Sequence, residues 1–247
     1  MDRRELLGVL GAVSGGLALG GPASRADDAD DHEHDGGDER YMAPVRGLHA
    51  HFCGIHIAKK NPKFQLVAQH FCAPRSDEMH QCLLYDSCEK NARLLGVEYI
   101  ISDRSFRELP DAEKKYWHPH TYEVLAGGLI APSMKPDDEM AFMKHILTTW
   151  GKTWHTWPDP TTDVPMGEPL LMWALTGDGQ QSVEVVADRD RQFGVSTEEI
   201  RRQRGEAFGL EVPKVSQPKS MDQIGRQWTN TGDDKPTKKK KSTPPPK

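Results

Sequence analysis

Residues 49–88 read HAHFCGIHIAKKNPKFQLVAQHFCAPRSDEMHQCLLYDSC, and they hold all four cysteines and five of the eleven histidines of the chain. The apolar and polar side chains alternate with period two, which marks strands rather than helices. Residues 47–58 form a first strand, with His49, His51, Cys53, Ile55 and Ile57 on one face. Lys59-Lys60-Asn61-Pro62-Lys63 is a polar turn. Residues 64–73 form a second strand, with Phe64, Leu66, Ala68, His70 and Cys72 together. Pairing Ile57 with Phe64 sets His51 opposite His70 and His49 opposite Cys72. Opposed Cβ atoms of an antiparallel pair stand about 4.5–5.5 Å apart, which suits joint ligation. A slip of one residue would send the two sets to opposite faces. Residues 79–86 make a third strand, whose His80, Cys82 and Leu84 share a face. Residues 94–102, LLGVEYIIS, are rich in β-branched residues and make a fourth. The four strands form a meander.

Downstream the period changes. Pro110 suits the first position of a short helix reading DAEKKYW, which delivers Trp117-His118-Pro119-His120. Residues 121–130 read as a further strand. Residues 137–150 read as a helix with Met140, Met143, Ile146, Leu147 and Trp150 on its apolar face and Gly151 as its stop. Residues 152–157 and 170–175 are strands separated by a proline-rich loop. Helices follow over 182–193, closed by Gly194, and from Ser196 to about Phe208; the second opens with a capping box, Ser196 to Glu199, and its dense charge places it on the surface. The fold class expected is α+β, a single domain over 41–177 with a mainly antiparallel sheet, flanking helices and disordered termini. The helices over 178–210 trail it. The tryptophans of the 152–157 and 171–173 motifs are expected in the core.

The flanks differ from this middle in composition, and they account for much of a mean hydropathy of −0.69. Arg3-Arg4 precede a weak apolar run, and Ser24-Arg25-Ala26 offers a cleavage site. Residues 1–26 therefore read as a twin-arginine-type signal peptide, and the protein as exported, periplasmic or extracytoplasmic. Residues 27–40 carry eight acids in fourteen positions and make a solvated, disordered spacer. Residues 211–247 are a disordered tail rich in Lys and Pro, suited to an anionic lipid or envelope surface. A net charge of −5 excludes a general nucleic-acid binder.

Two pieces carry chemistry. His118 and His120 flank a proline, and Glu123 follows in WHPHTYE. An H-x-H pair on a loop can turn both rings toward one ion, with Glu123 as a third ligand or as a support. Together with His51 and His70 from the strands, this makes a mixed N/O site for zinc, iron or copper. His56 has the wrong parity to join His51. Cys53, Cys72 and Cys82 are either buried thiols or redox-active ones, and Cys82–Cys88 is a candidate disulfide. The leading function is a non-enzymatic binding or structural role at an envelope or lipid surface, with the His-rich set as a candidate metal site. The alternative is a metal-dependent enzyme using His51, His70, His118, His120 and Glu123, and a thiol-based redox protein is a third.

HFCGIH at 51–56, HFC at 70–72, QCLLYDS at 81–87 and LLGVEYIIS at 94–102 stand in order along the chain. FRELPDAEKKYWHPHTYEV at 106–124, GKTWHTW at 151–157 and DVPMGEPLLM at 163–172 follow them. In this succession the chain resembles the oil-body-associated protein family over about residues 47–175. The resemblance implies an association with lipid-storage bodies for the plant members and no agreed catalytic mechanism. The export signal marks this chain as a bacterial, exported relative of them.

Overall fold

Strands β1 (Ala50–Ala58), β2 (Asn61–Ser76), β3 (Met79–Tyr85) and β4 (Leu94–Ser102) pair antiparallel in sequence order, as the alternation predicts. The protein is seen here as a computed structural model that describes residues 39–212 and 237–238. The signal peptide and most of the acidic spacer lie outside the described residues. So does the tail, apart from Glu211, Val212 and a two-residue ladder between Leu210–Glu211 and Thr237–Lys238. A helix, α1 (Glu39–Arg46), leads into β1.

The meander does not end as an open sheet. From Gly96 to Ser102, β4 pairs with the whole of β6 (Thr149–His155), β6 pairs with β7 (Leu170–Trp173), and β7 returns to β1. The six strands close into an antiparallel barrel. Closure brings β4 and β6 very near at Gly96, where a Cβ would stand 1.9 Å from the Trp154 carbonyl oxygen. A two-residue strand, β5 (His118–Pro119), pairs with the start of β6 on the side that β7 takes further along.

The register decides which side chains face inward. His51 lies opposite Phe71 and Phe52 opposite His70, one residue away from the pairing expected. The cause is the turn. Ala58 already pairs with Asn61, so the connection is only Lys59-Lys60, and a bulge absorbs Pro62-Lys63-Phe64 before Ile57 meets Gln65. The even positions of β1 and β2 therefore share a face. The barrel interior receives Phe52, Gly54 and His56 from β1, and Ala68, His70 and Cys72 from β2. Cys82 and Leu84 come from β3, Glu98 and Ile100 from β4, and Gly151, Thr153 and His155 from β6.

Several elements differ from the reading of the sequence. Residues 121–130 are not a strand; they form a one-turn helix, α4 (Thr121–Leu125), with Tyr122, Glu123, Val124 and Leu125 all buried. With no exposed face there is no alternation to read. The chain leaves α4 at Gly127, whose φ of +77° favours glycine. The 137–150 helix is α5 (Pro136–Ile146) and ends early. Thr149 donates its hydroxyl to the Ile146 carbonyl and starts β6, so Trp150 joins the sheet and stacks on Phe106 at 3.6 Å between ring centroids. Before α4, α2 spans Asp103–Glu108, and α3 only Asp111–Lys114.

The trailing helices α6 (Val183–Phe193) and α7 (Thr197–Phe208) start at Ser182 and Ser196 caps and stop at left-handed Gly194 and Gly209. α7 does not simply lie on the surface. Arg204 reaches inward to the Val124 and Leu129 carbonyls at 2.7 Å each and to Glu139. Arg189 of α6 donates to the carbonyls of Gly127 and Gly128 at 2.9 and 3.2 Å. Both guanidinium groups are buried, and together they hold the segment that follows α4. Of the expected core tryptophans, Trp173 is fully buried, whereas Trp154 and Trp157 are half-buried.

Candidate metal centre

The centre of the barrel is polar. His56 from β1, His70 from β2, Glu98 from β4, His118 from β5 and His155 from β6 meet there with His120, the residue that precedes α4. None of the six is more than 3% exposed. A lone ionised carboxylate in such a place would be costly, so its surroundings matter. Burial alone would raise the pKa of Glu98. Hydrogen bonds from His118, His120 and His70 outweigh that and hold the carboxyl well below the usual range.

The two carboxylate oxygens face different imidazoles. Oε2 lies 2.8 Å from His70 Nε2 and 3.7 Å from His56 Nε2, and the two Nε2 atoms are 3.1 Å apart. Oε1 lies 3.2 Å from His120 Nε2 and 3.6 Å from His118 Nε2. Each set brings three ligating atoms within 4.8 Å of one another. Donor atoms around one transition-metal ion, bound at about 2.0–2.1 Å, stand roughly 3 Å apart, so the spacing is that of a coordination shell.

The outer ring nitrogens settle the tautomers. His70 Nδ1 lies 3.1 Å from the Ala68 carbonyl oxygen, which can only accept. His120 Nδ1 lies 2.8 Å from Thr149 Oγ1. That hydroxyl already donates its proton to Ile146 at 2.7 Å, so it too accepts. Both Nδ1 atoms therefore carry a proton, and each ring turns its Nε2 toward a carboxylate oxygen, at 2.8 Å for His70 and 3.2 Å for His120. A ring whose Nδ1–H is tied to an acceptor while Nε2 stays free is the form that binds metals. Burial keeps the other rings neutral, pushing His118 down to about 4, His155 down to about 3 and His56 well below its ordinary value. His155 Nε2 touches His56 Nδ1 at 3.0 Å and so orients that ring.

Gly151 makes the convergence possible. A Cβ there would lie 2.1 Å from Glu98 Oε1 and 2.7 and 2.8 Å from the Nε2 atoms of His118 and His120. Any side chain would fill the space that these donors share.

The residues expected from the sequence divide. His70, His118 and His120 are in the cluster. His51 is not; the one-residue register difference turns it outward, where it contacts Gln69 Oε1 at 3.1 Å and Cys88 Sγ at 3.4 Å. Glu123 is buried beside the cluster and belongs to neither converging set; burial first, and then the charge of Glu98, raise its pKa far above the ordinary value. His56 has the wrong parity for His51 but the right one for His70. Glu98 and His155 complete the centre, and neither was a candidate. A signal for Glu98 was present, since it is the one acid in the apolar strand LLGVEYIIS, where an unpaired charge is rare. The cysteines also pair differently. Cys72 and Cys82 face each other across β2 and β3 and form a disulfide, while Cys53 is buried and free and Cys88 exposed and free. The Cys82–Cys88 pairing does not form. Burial pushes the Cys53 thiol up to about 12, which leaves it inert as a nucleophile.

A family profile described as "Protein of unknown function (DUF1264)" matches residues 42–207, a span that takes in α6 and α7 as well as the barrel. Oil body-associated protein 1B of Arabidopsis thaliana is 40% identical over 172 residues, 69% of this chain and 71% of its own length. Oil body-associated protein 1A of Zea mays is 38% identical over 69% of this chain and 72% of its own. Oil body-associated protein 2A of Zea mays is 34% identical over 73% and 72%. No solved structure matches.

Proposed function

The chain belongs to the oil body-associated protein family, and from the geometry of its barrel centre we propose a non-enzymatic metal-binding role for it. Divalent transition metal binds at the buried His/Glu centre and ties together strands that are distant in sequence. The observation that carries this reading is the convergence of four buried imidazoles, of His56, His70, His118 and His120, on the two oxygens of one buried carboxylate. Mixed imidazole and carboxylate donors suit zinc, iron or copper. A binding role is favoured over a metal-dependent enzyme because catalytic centres keep a coordination position open to substrate, whereas every donor here is buried. Metal analysis of protein purified without a His tag tests it. At least one equivalent of transition metal, retained after dialysis and lost when Glu98 is changed to Ala, is the expected result. Less than about 0.1 equivalent, with none regained on reconstitution, would rule it out.

A second reading concerns location. The relatives are named for oil bodies, and α1 exposes Tyr41, Met42 and Val45, a small apolar face suited to the boundary between lipid headgroups and acyl chains. The Lys-rich tail would add attraction to anionic lipid. Export through the twin-arginine signal is compatible with this, and the Cys72–Cys82 disulfide supports an oxidising compartment. Flotation with anionic vesicles should carry the full chain to the lipid layer, and the Tyr41→Ser/Val45→Ser variant should float several-fold less. Equal flotation of the two would remove α1 from the reading.

A further inference from the structure

We propose that the barrel centre is a two-metal site, with Glu98 bridging one ion held by His56 and His70 to a second held by His118 and His120. The proposal rests on the metal-binding reading above and extends it to the number of ions and the way they are joined.

The division of donors is what points to two ions. No imidazole is shared between the sets. His56 and His70 approach Oε2, at 3.7 and 2.8 Å, and His118 and His120 approach Oε1, at 3.6 and 3.2 Å. A carboxylate whose two oxygens each complete a separate three-donor set is a bridge, and protein two-metal sites hold their ions about 3.5–4 Å apart. The outer supports are equally duplicated: Ala68 O for His70 and Thr149 Oγ1 for His120, with His155 behind His56. Gly151 underlies only the second set, where any Cβ would exclude convergence.

The test uses the full chain without a tag, stripped with chelator and refilled with Zn²⁺ or Mn²⁺. Native mass spectrometry should count two Zn²⁺ per chain. The His118→Ala/His120→Ala variant and the His56→Ala/His70→Ala variant should each fall to one. Zinc X-ray absorption should show a metal–metal distance of about 3.5–4 Å, and the Mn²⁺ form should give the spin-resonance spectrum of an exchange-coupled pair. One ion in the wild type overturns the bridge and leaves metal binding standing. No ion overturns both. Two ions without coupling or metal–metal scattering place the second elsewhere, for instance at His32 and His34 of the acidic segment, and also overturn the bridge. The wild-type count and spectrum decide the matter even if a variant fails to fold.

Discussion

Thr149 and Gly151 carry as much of the candidate centre as the histidines do. The Thr149 hydroxyl accepts from His120 and donates to Ile146, so it fixes one ring's tautomer from outside the donor set. Replacing Thr149 with Val keeps the shape and removes that acceptor. Loss of such an outer partner typically costs 10–100-fold in metal affinity, and chelator competition should show a loss in that range. Gly151→Ala should abolish binding by the His118/His120 set outright, read by native mass spectrometry beside a thermal melt. The buried rings also impose a pH dependence. Burial holds His118 at about 4 and His155 at about 3, against about 6.5 in an unfolded chain. Below 6.5 the unfolded chain takes up protons that the folded barrel refuses. Stability from this source is therefore complete above 6.5 and drains away as pH falls toward 4 and then 3. For His118 alone the difference amounts to about 3 kcal/mol. Melts of metal-free protein should fall steadily in temperature from pH 6.5 to 4, and His118→Gln should flatten the slope. An unchanged slope would show that His118 is not held neutral.

At the scale of elements, the C-terminal helices are clamps. Arg204 joins α7 to the Val124 and Leu129 carbonyls and to Glu139, and the segment it grips begins with His120 and Glu123. Replacing Arg204 with Met removes one partner of a buried ion pair and leaves Glu139 and two carbonyls unsatisfied. A loss of about 3–5 kcal/mol is expected, measurable by urea unfolding, and a loss below about 1 kcal/mol would show that the helix is only laid against the barrel. This clamp was illegible in the sequence, because an arginine on a charged helix reads as a solvated one. The meander was legible, since β1 to β4 each span enough residues for a period of two to show. Its register was not, because the bulge after Lys60 moves one strand by one position and no side-chain pattern announces it. The same slip exchanged His51 for His56 in the site. α4 was misread for a different reason: a helix of five residues, buried all round, is too short to display a period of 3.6.

Over the whole molecule, closure could not be read because β4 and β6 are far apart in the chain. The local strands were evident, yet nothing local states that Gly96 will lie against His155. Closure also removes the exposed edges an open six-stranded sheet would offer to other chains. The Cys72–Cys82 disulfide cross-links this frame within one hairpin, and the proposed metal centre would cross-link it across the barrel. The disulfide joins residues 10 apart, and the loop entropy it removes from the unfolded chain is worth about 3 kcal/mol. Reduction, or Cys72→Ala/Cys82→Ala, should lower the melting temperature while leaving the metal count unchanged, since neither sulfur is among the donors. The donors run from His56 to His120, and β5, which carries His118, is held only by β6, so no pair of ions can find its full set until β6 has docked. Pairings between distant segments are the slow ones in folding. Metal capture should thus trail the collapse of the β1–β4 meander and coincide with β6 docking, so stopped-flow refolding with Zn²⁺ present would speed no early phase and instead slow the reopening of the barrel.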